Sequence, residues 1–531
     1  MAFVKNDYNQ ISFDDSTFRL TDREKRFLEK SWAKPFAEIL FPAIKEEDFA
    51  VLYSDKASRP NTPVNIIIGA LILKELVGLT DDEVVESLMF DIRFQYALHT
   101  TSFNEQPLSD RTLSRFRERC MTYETLTGHD LIKQCINSLT GEIAKVMNLT
   151  PTMIRMDSLL IASNIKNLSR LELFYVCVAN MIKRMHTSGE EIPETLQRYL
   201  DERDYNQTVY HMKSVELEER IKPILLDIAL LSKLCAGTYD DCSEYQLLIR
   251  LINEQTFRDE DGNLQMKDKH SLDSNCMVNP ADPDATVRKN GTRKHLGYTA
   301  NIVESVGEFG SLITDYSYEQ NNYHDSHFLQ DFLEQHPEAA GETTIVTDGS
   351  YASQITIKDA SKQGIKIITT NFTGHKPADC FADFKFTDDG KELLFCASGY
   401  TPYHQMYDSR NDRCVAYFMR ESCESCSHFI ECNPRLYKTK VKKEVSWKAV
   451  NRAQQLRFMK TEEFMEYADF RNGVEAIPSL LRRKYNVDTV PVRGKCATKL
   501  FFGFKVAAIN LTKLLRYTDG LGSSAQLEAN A

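Results

Sequence analysis

Between Thr152 and Ile161 the chain reads Thr-Met-Ile-Arg-Met-Asp-Ser-Leu-Leu-Ile. This is a short β-strand pattern, apolar at Met153, Ile154, Met156, Leu159, Leu160 and Ile161, with one carboxylate, Asp157, in its middle. A strand this apolar is set for burial. An ionised carboxylate within it is costly unless it is paired, hydrogen-bonded or bound to a metal. Taken alone, the segment allows Asp157 to pair with Arg155 or to lie at an exposed strand end. The rest of the chain decides whether it does more.

Bulk properties narrow the classes. A length of 531 residues accommodates two to four domains. The net charge of −11 excludes a general cationic coat, so any contact with nucleic acid must come from local basic patches. The opening Met-Ala-Phe-Val-Lys-Asn-Asp lacks the pattern of a secretory signal, and no apolar stretch is long enough to suggest a membrane span. Thirteen cysteines in such a chain fit a reducing cytoplasm better than a disulfide framework. Eight are scattered, and five fall between Cys396 and Cys432.

The chain alternates between helical and strand-rich stretches. Residues 1–20 read as a polar arm and residues 21–148 as a helical domain. Pro63 opens one helix, and Thr80 with Glu83 forms a capping box for a second. A third begins near Ser109 and crowds Arg111, Arg115, Arg117 and Arg119 together. That crowding suits either a solvated face or a helix laid against phosphates. Residues 166–270, with long periodic runs at Leu171–His186 and Leu196–Leu234, read as a helical insertion. A hairpin follows at 295–315 around Gly307 and Gly310, then a helix at Ser326–Glu334. Strand Thr343–Ser350, helix 353–363 and strand 365–370 come next. The pattern predicts a mixed α/β core made of residues 149–165, 271–375 and 461–520. A cysteine-rich basic insertion occupies 376–460, and 521–531 is expected to be a disordered tail.

Asp348 ends the strand that begins at Thr343, so two strands each deliver one aspartate. If those strands are neighbours, the carboxylates converge and repel unless a divalent cation lies between them. A third acid would complete such a site. Glu475 is the candidate, at i, i+4 from Arg471 on one helical face, although a surface ion pair is the commoner meaning of that spacing.

Cys423 and Cys426 form a C-x2-C arm with Cys432 six residues on, and Cys396 lies upstream beside the apolar Leu393-Leu394-Phe395. Four such thiolates suit a tetrahedral structural Zn²⁺. Cys414 competes for the fourth place, His428 more weakly, and free thiols in a reducing cell are the alternative. The run from Arg435 through Lys438, Lys440, Lys442 and Lys443 is the clearest DNA-contact candidate in an otherwise acidic chain.

On these residues the chain resembles the DDE transposases of bacterial insertion sequences, in the branch with a cysteine-rich insertion before the catalytic glutamate. The resemblance covers nearly the whole chain. It runs through Arg59-Pro60-Asn61-Thr62-Pro63, Gly78-Leu79-Thr80-Asp81-Asp82-Glu83, Leu113-Ser114-Arg115-Phe116-Arg117 and Arg155-Met156-Asp157-Ser158. It continues through Asp282-Pro283-Asp284-Ala285, Lys294-His295-Leu296-Gly297-Tyr298 and Thr347-Asp348-Gly349-Ser350-Tyr351. Arg471, Glu475 and Arg482 look like the family's Tyr-Arg-Glu-Lys signature. Tyr467 stands one residue off the usual spacing, and Arg replaces the final Lys.

The resemblance implies an RNase H-like catalytic core with a small zinc-knuckle-like insertion. In it Asp157, Asp348 and Glu475 hold two Mg²⁺ (or Mn²⁺) ions for cleavage and strand transfer of DNA. It further implies that Arg471 and Arg482 contact transposon-end phosphates or transition-state charge. The partners would be terminal inverted repeats and target DNA, with no membrane, a homodimer or larger synaptic assembly, and a bacterial cytoplasmic location. Two rivals remain: an inactive, zinc-stabilised DNA-binding descendant, and a nuclease of the same core without strand transfer.

Overall fold

The computed structural model describes residues 1–8, 14–54, 56, 58–101, 108–150, 152–210, 217–336, 343–372 and 374–529. It is mixed α/β, about half helical, and divides into two compact units. Unit 1 comprises Met1–Thr152, Asp157–Phe328 and Ile477–Ala531. Unit 2 comprises Met153–Met156 and Leu329–Ala476.

Unit 1 begins with helices whose ends the sequence encodes. Val64–Val77 follows Pro63, is buried on nearly every side, and stops at Gly78, whose φ of 85° is open to glycine at little cost. Asp81–Phe90 carries the expected capping box of Thr80 and Glu83. Part of the N-terminal arm is docked: the Val4 amide donates to Asn61 and the Asn6 amide to Glu46. The long C-terminal helix Lys495–Ala529 packs against Val64–Val77 and Leu131–Val146. It corrects the expected disordered tail, since residues 521–529 continue the helix and only 530–531 lie outside the described residues. Residues 521–529 read Leu-Gly-Ser-Ser-Ala-Gln-Leu-Glu-Ala, and extending an existing helix adds one hydrogen bond per residue fixed without a new nucleus, which offsets the poor propensity of the Gly and Ser.

Strand β1 (Met153–Ala162) gives its first four residues to unit 2 and the rest to unit 1. The helical insertion has its own core, where Phe174, Val178, Ile228, Leu231 and Leu248 are fully enclosed. A small hairpin, β2 (Thr256–Arg258) with β3 (Leu264–Met266), closes it. The run expected at Leu196–Leu234 is instead broken into a 3-10 helix, Glu194–Leu200, and helices Glu202–Val209 and Leu217–Cys235. Asp201 causes the first break by capping the next helix through the Arg203 amide. Residues 211–216 lie outside the described residues.

In the rest of unit 1, β4 (Thr286–Asn290) pairs antiparallel with the first part of β5 (Arg293–Gly307). β6 (Gly310–Gln320) pairs antiparallel with the remainder. β5 also neighbours β1. Gly297 is required there: at φ 145° a side chain would run into the Ile161 carbonyl.

In unit 2, β7 (Thr343–Thr347) pairs parallel with the start of β1, and β8 (Ile365–Thr369) pairs parallel with β7. Val346, Ile368 and Phe464 form a small core there, with Met153 and Phe470 against it. β9 (Lys385–Phe386) pairs with β10 (Leu393–Phe395). The expected cysteine-rich insertion contains a four-stranded antiparallel sheet, in the order β11 (His404–Asp408), β12 (Arg413–Met419), β14 (Lys440–Val445) and β13 (Arg435–Leu436). The basic run disguises this strand pattern: Val441, Lys443 and Val445 are buried, while Lys440, Lys442 and Glu444 alternate with them.

Candidate active site and DNA-contact residues

Asp157 lies in β1, half-buried, and accepts the Ser158 amide at 3.1 Å. Ser158 Oγ donates to Asp325 Oδ1 at 2.9 Å, and Arg288 stands 3.8 Å from the same carboxylate. Asp325 is 6% exposed and opens the helix Asp325–Gln335. Sequence reasoning began that helix one residue later and missed it; a carboxylate at the first turn was the available signal. Nearby, Asp282 is wholly buried and accepts from Tyr298 Oη at 2.6 Å and from Ser163 Oγ. The motifs around Asp282 and Tyr298 thus act together as a brace at the end of β1.

Asp348 follows β7, half-buried, and accepts from its own Gly349 amide and from Asn371 Nδ2 at 3.2 Å. Glu475 lies in the 3-10 turn Gly473–Glu475 that follows helix Glu462–Asn472. Its side chain is 61% exposed and pairs at 2.9 Å with Arg471, which is 10% exposed. The expected i, i+4 pair is present. Arg155, in β1 at the start of unit 2, donates to the Phe470 carbonyl at 2.6 Å.

Arg482 donates to the Leu160 carbonyl at 2.9 Å and pairs with Asp488 at 3.3 Å, and Asp488 in turn accepts the Ala162 amide. It therefore braces the end of β1 while remaining nearly half exposed. Arg115 is exposed on the helix Asp110–Thr127, but Arg117 on the same helix is buried. Arg117 is held by Asp81, which also takes Lys74 at 2.6 Å, and lies 5.2 Å over the Phe501 ring. Arg117 is therefore a structural cation and leaves the set of expected DNA contacts. Lys443 leaves it for the same reason. It is buried beneath the β11–β14 sheet, donates to the Cys432 carbonyl and lies 4.5 Å over Phe381. Lys438 is exposed, Lys440 half-exposed, and Lys442 pairs with Glu444 at 2.6 Å.

Cys396, Cys423, Cys426 and Cys432 line one cavity of about 30 Å³, together with His428 and Lys443. Burial pushes the Cys423 thiol up to about 11, with Cys396, Cys426 and Cys432 adding to the effect. Burial raises Cys432 as well, against the opposing pull of Lys443. Cys414 is buried in the adjacent core and donates to Gln405 instead, and His428 stands 3.9 Å from Glu431. Among the described residues, no group of three or more His, Cys, Asp or Glu side chains is set to hold a metal ion as placed. The four thiols share a cavity without being drawn onto one centre, and Ser398 Oγ lies 2.9 Å from Cys426.

Comparison with known proteins gives matches at both ends of the chain. The family model described as Transposase DDE domain matches residues 395–515, and Transposase domain (DUF772) matches residues 23–119. Together they support a DDE transposase of insertion-sequence type. No curated protein matches the chain. The chain is also similar to the solved structure titled "Cryo-EM structure of piggyBac transposase synaptic complex with hairpin DNA (SNHP)". That likeness has 8% identity and a TM-score of 0.31, and covers 95% of this chain and 78% of that one.

Proposed function

We propose that this protein cuts phosphodiester bonds at the ends of its mobile element and joins those ends to target DNA, using Asp157, Asp348 and Glu475 as its catalytic acids. The observation that carries the reading is a shared offset. β1 and β7 pair at Met153↔Thr344, an offset of 344 − 153 = 191, and 348 − 157 = 191 separates the two aspartates. The transposase-domain match also runs across Arg471, Glu475 and Arg482. Antiparallel pairing of β4, β5 and β6 and parallel pairing of β1, β7 and β8 are the strand relations an RNase H-like core uses.

The donor chemistry fits divalent metal, since three carboxylates supply the hard oxygens that Mg²⁺ or Mn²⁺ prefers. Two bound ions would activate the attacking hydroxyl and neutralise the leaving oxygen. The chain's own residues place the acids. Arg471 holds Glu475, the Ser158 amide orients Asp157, and Asn371 holds Asp348. Arg482, Arg115, Lys438 and Lys440 supply cations for DNA phosphates, whereas Lys442 is spent on Glu444 and Arg471, buried against Glu475, positions that acid and leaves the expected DNA contacts. The four cysteines at one cavity have the donor types of a structural Zn²⁺ site, the knuckle of the inserted sheet. Two DNA ends would be held by a dimer or larger assembly.

The test is incubation of the protein with DNA carrying its own element ends and a target plasmid in Mg²⁺ or Mn²⁺. Cleavage followed by joined products supports a transposase. Cleavage without joining identifies a nuclease, and binding without cleavage an inactive descendant.

A further inference from the structure

The sheet of β11–β14 has two unlike faces. Cys414, Ala416, Phe418, Val441 and Val445 are buried on one. On the other, strand pairing sets His404 beside Tyr417, Tyr417 beside Lys442, Met419 beside Lys440 and Lys442 beside Arg435.

This second face is a ladder of rings and cations. His404 and Tyr417 stack with centroids 5.7 Å apart and planes 28° from parallel. Lys440 Nζ stands 4.6 Å over Tyr417 and 6.0 Å from the Tyr437 ring, and the Arg435 guanidinium lies 5.5 Å over Tyr437. At one end of the face charge is already spent, Arg413 on Asp408 and Glu444, and Lys442 on Glu444. At the other end, Arg435 and Lys440 are in no ion pair among the described residues. The surface is open there, with Met419 59% and Tyr437 38% exposed.

Exposed rings beside uncompensated cations call for a ligand that is anionic and also presents flat apolar surfaces. Duplex DNA offers only its phosphates to such a face, because its bases are stacked inside. An unpaired strand offers phosphates to Arg435, Lys438 and Lys440 and bases to the rings of His404, Tyr417 and Tyr437. We propose that this face binds unpaired DNA bases. The inference rests on the reading of the protein as one that acts on DNA ends, where strands separate around a cut.

Full-length protein is titrated by fluorescence anisotropy into a labelled oligothymidylate single strand and into a duplex of equal length. The variants are Tyr417→Ala with Tyr437→Ala, Tyr417→Phe, and Lys440→Gln. The double alanine variant is expected to lose about tenfold or more in single-strand affinity, the size of stacking by one or two bases. Its duplex affinity should change less than about twofold, because duplex contacts here are phosphate contacts. Tyr417→Phe should bind like wild type, and Lys440→Gln should weaken both forms. Equal losses for the two forms in the alanine variant, or no loss, overturn the proposal. Because cleavage of element ends is scored separately, a protein that cleaves while its alanine variant binds single strands normally refutes this inference alone. A protein that never cleaves but binds single strands through Tyr417 refutes only the enzymatic reading.

Discussion

Arg155 and Phe470 are joined twice: the guanidinium donates to the Phe470 carbonyl at 2.6 Å and lies 5.3 Å over the Phe470 ring. The strand residue two positions before Asp157 is thereby tied to the helix that leads to Glu475. Gly473 makes room for it, since a β-carbon there would overlap Arg155 Nη1. Gly473→Ala should therefore push the Arg155 guanidinium off the Phe470 carbonyl, costing about 1 kcal/mol for the lost hydrogen bond, and lower DNA cleavage as Glu475 shifts. Thermal melts alongside end-cleavage rates check this, and an unchanged melting temperature would contradict it.

Glu475 and Arg471 should respond differently to substitution. Glu475 is mostly exposed, so Glu475→Gln should change stability by less than about 1 kcal/mol while abolishing cleavage. Arg471 is buried, so Arg471→Ala should lower both stability and cleavage through lost packing and a freed Glu475. Denaturant titration of both variants separates the two effects.

Arg115 and Arg117 should also part company. Arg115→Ala is expected to weaken DNA binding and reduce its salt dependence with the melting temperature unchanged. Arg117→Ala should cost about 2 kcal/mol or more by leaving a partly buried carboxylate without its main partner. The pH dependence follows from Asp81. Burial alone would raise its pKa, but hydrogen bonds and charge from Arg117 and Lys74 outweigh that and hold it below the usual carboxylate range. Its contribution is thus present above the ordinary carboxylate pKa and lost as pH falls through the depressed folded value. The stability gap between wild type and Asp81→Asn should narrow in acid, which melts across the pH range would reveal.

For the cysteines, metal analysis of purified protein should give stoichiometric zinc, lost in Cys423→Ser and Cys426→Ser and retained in Cys414→Ser. Metal removal by a chelator should lower the melting temperature, because metal-binding free energy in such sites is folding free energy. Zinc content unchanged in the Cys423 and Cys426 variants would refute the site.

Much of this was legible in the chain because the signals were local. The strand at Thr152–Ile161 is found as Met153–Ala162, and the hairpin around Gly307 and Gly310 as two longer strands. The capping box at Thr80 and Glu83 is present as read. The sheet of β11–β14 was hidden because lysines occupy strand positions: the Lys443 stem is buried as an apolar residue would be while its ammonium reaches a carbonyl. Likewise no local pattern separates the exposed Arg115 from the buried Arg117, whose partner Asp81 lies on another helix. Gly473 could be understood only once Arg155 was seen beside it.

Asp157, Asp348 and Glu475 are proposed to act together in metal-dependent DNA cleavage. Strand cleavage of element-end DNA in Mg²⁺ or Mn²⁺, comparing wild type with Asp157→Ala, Asp348→Ala and Glu475→Ala, tests it most directly. Wild type should cleave, and cleavage should disappear on chelation and in each variant, with DNA binding retained. Cleavage persisting in all three variants would contradict it.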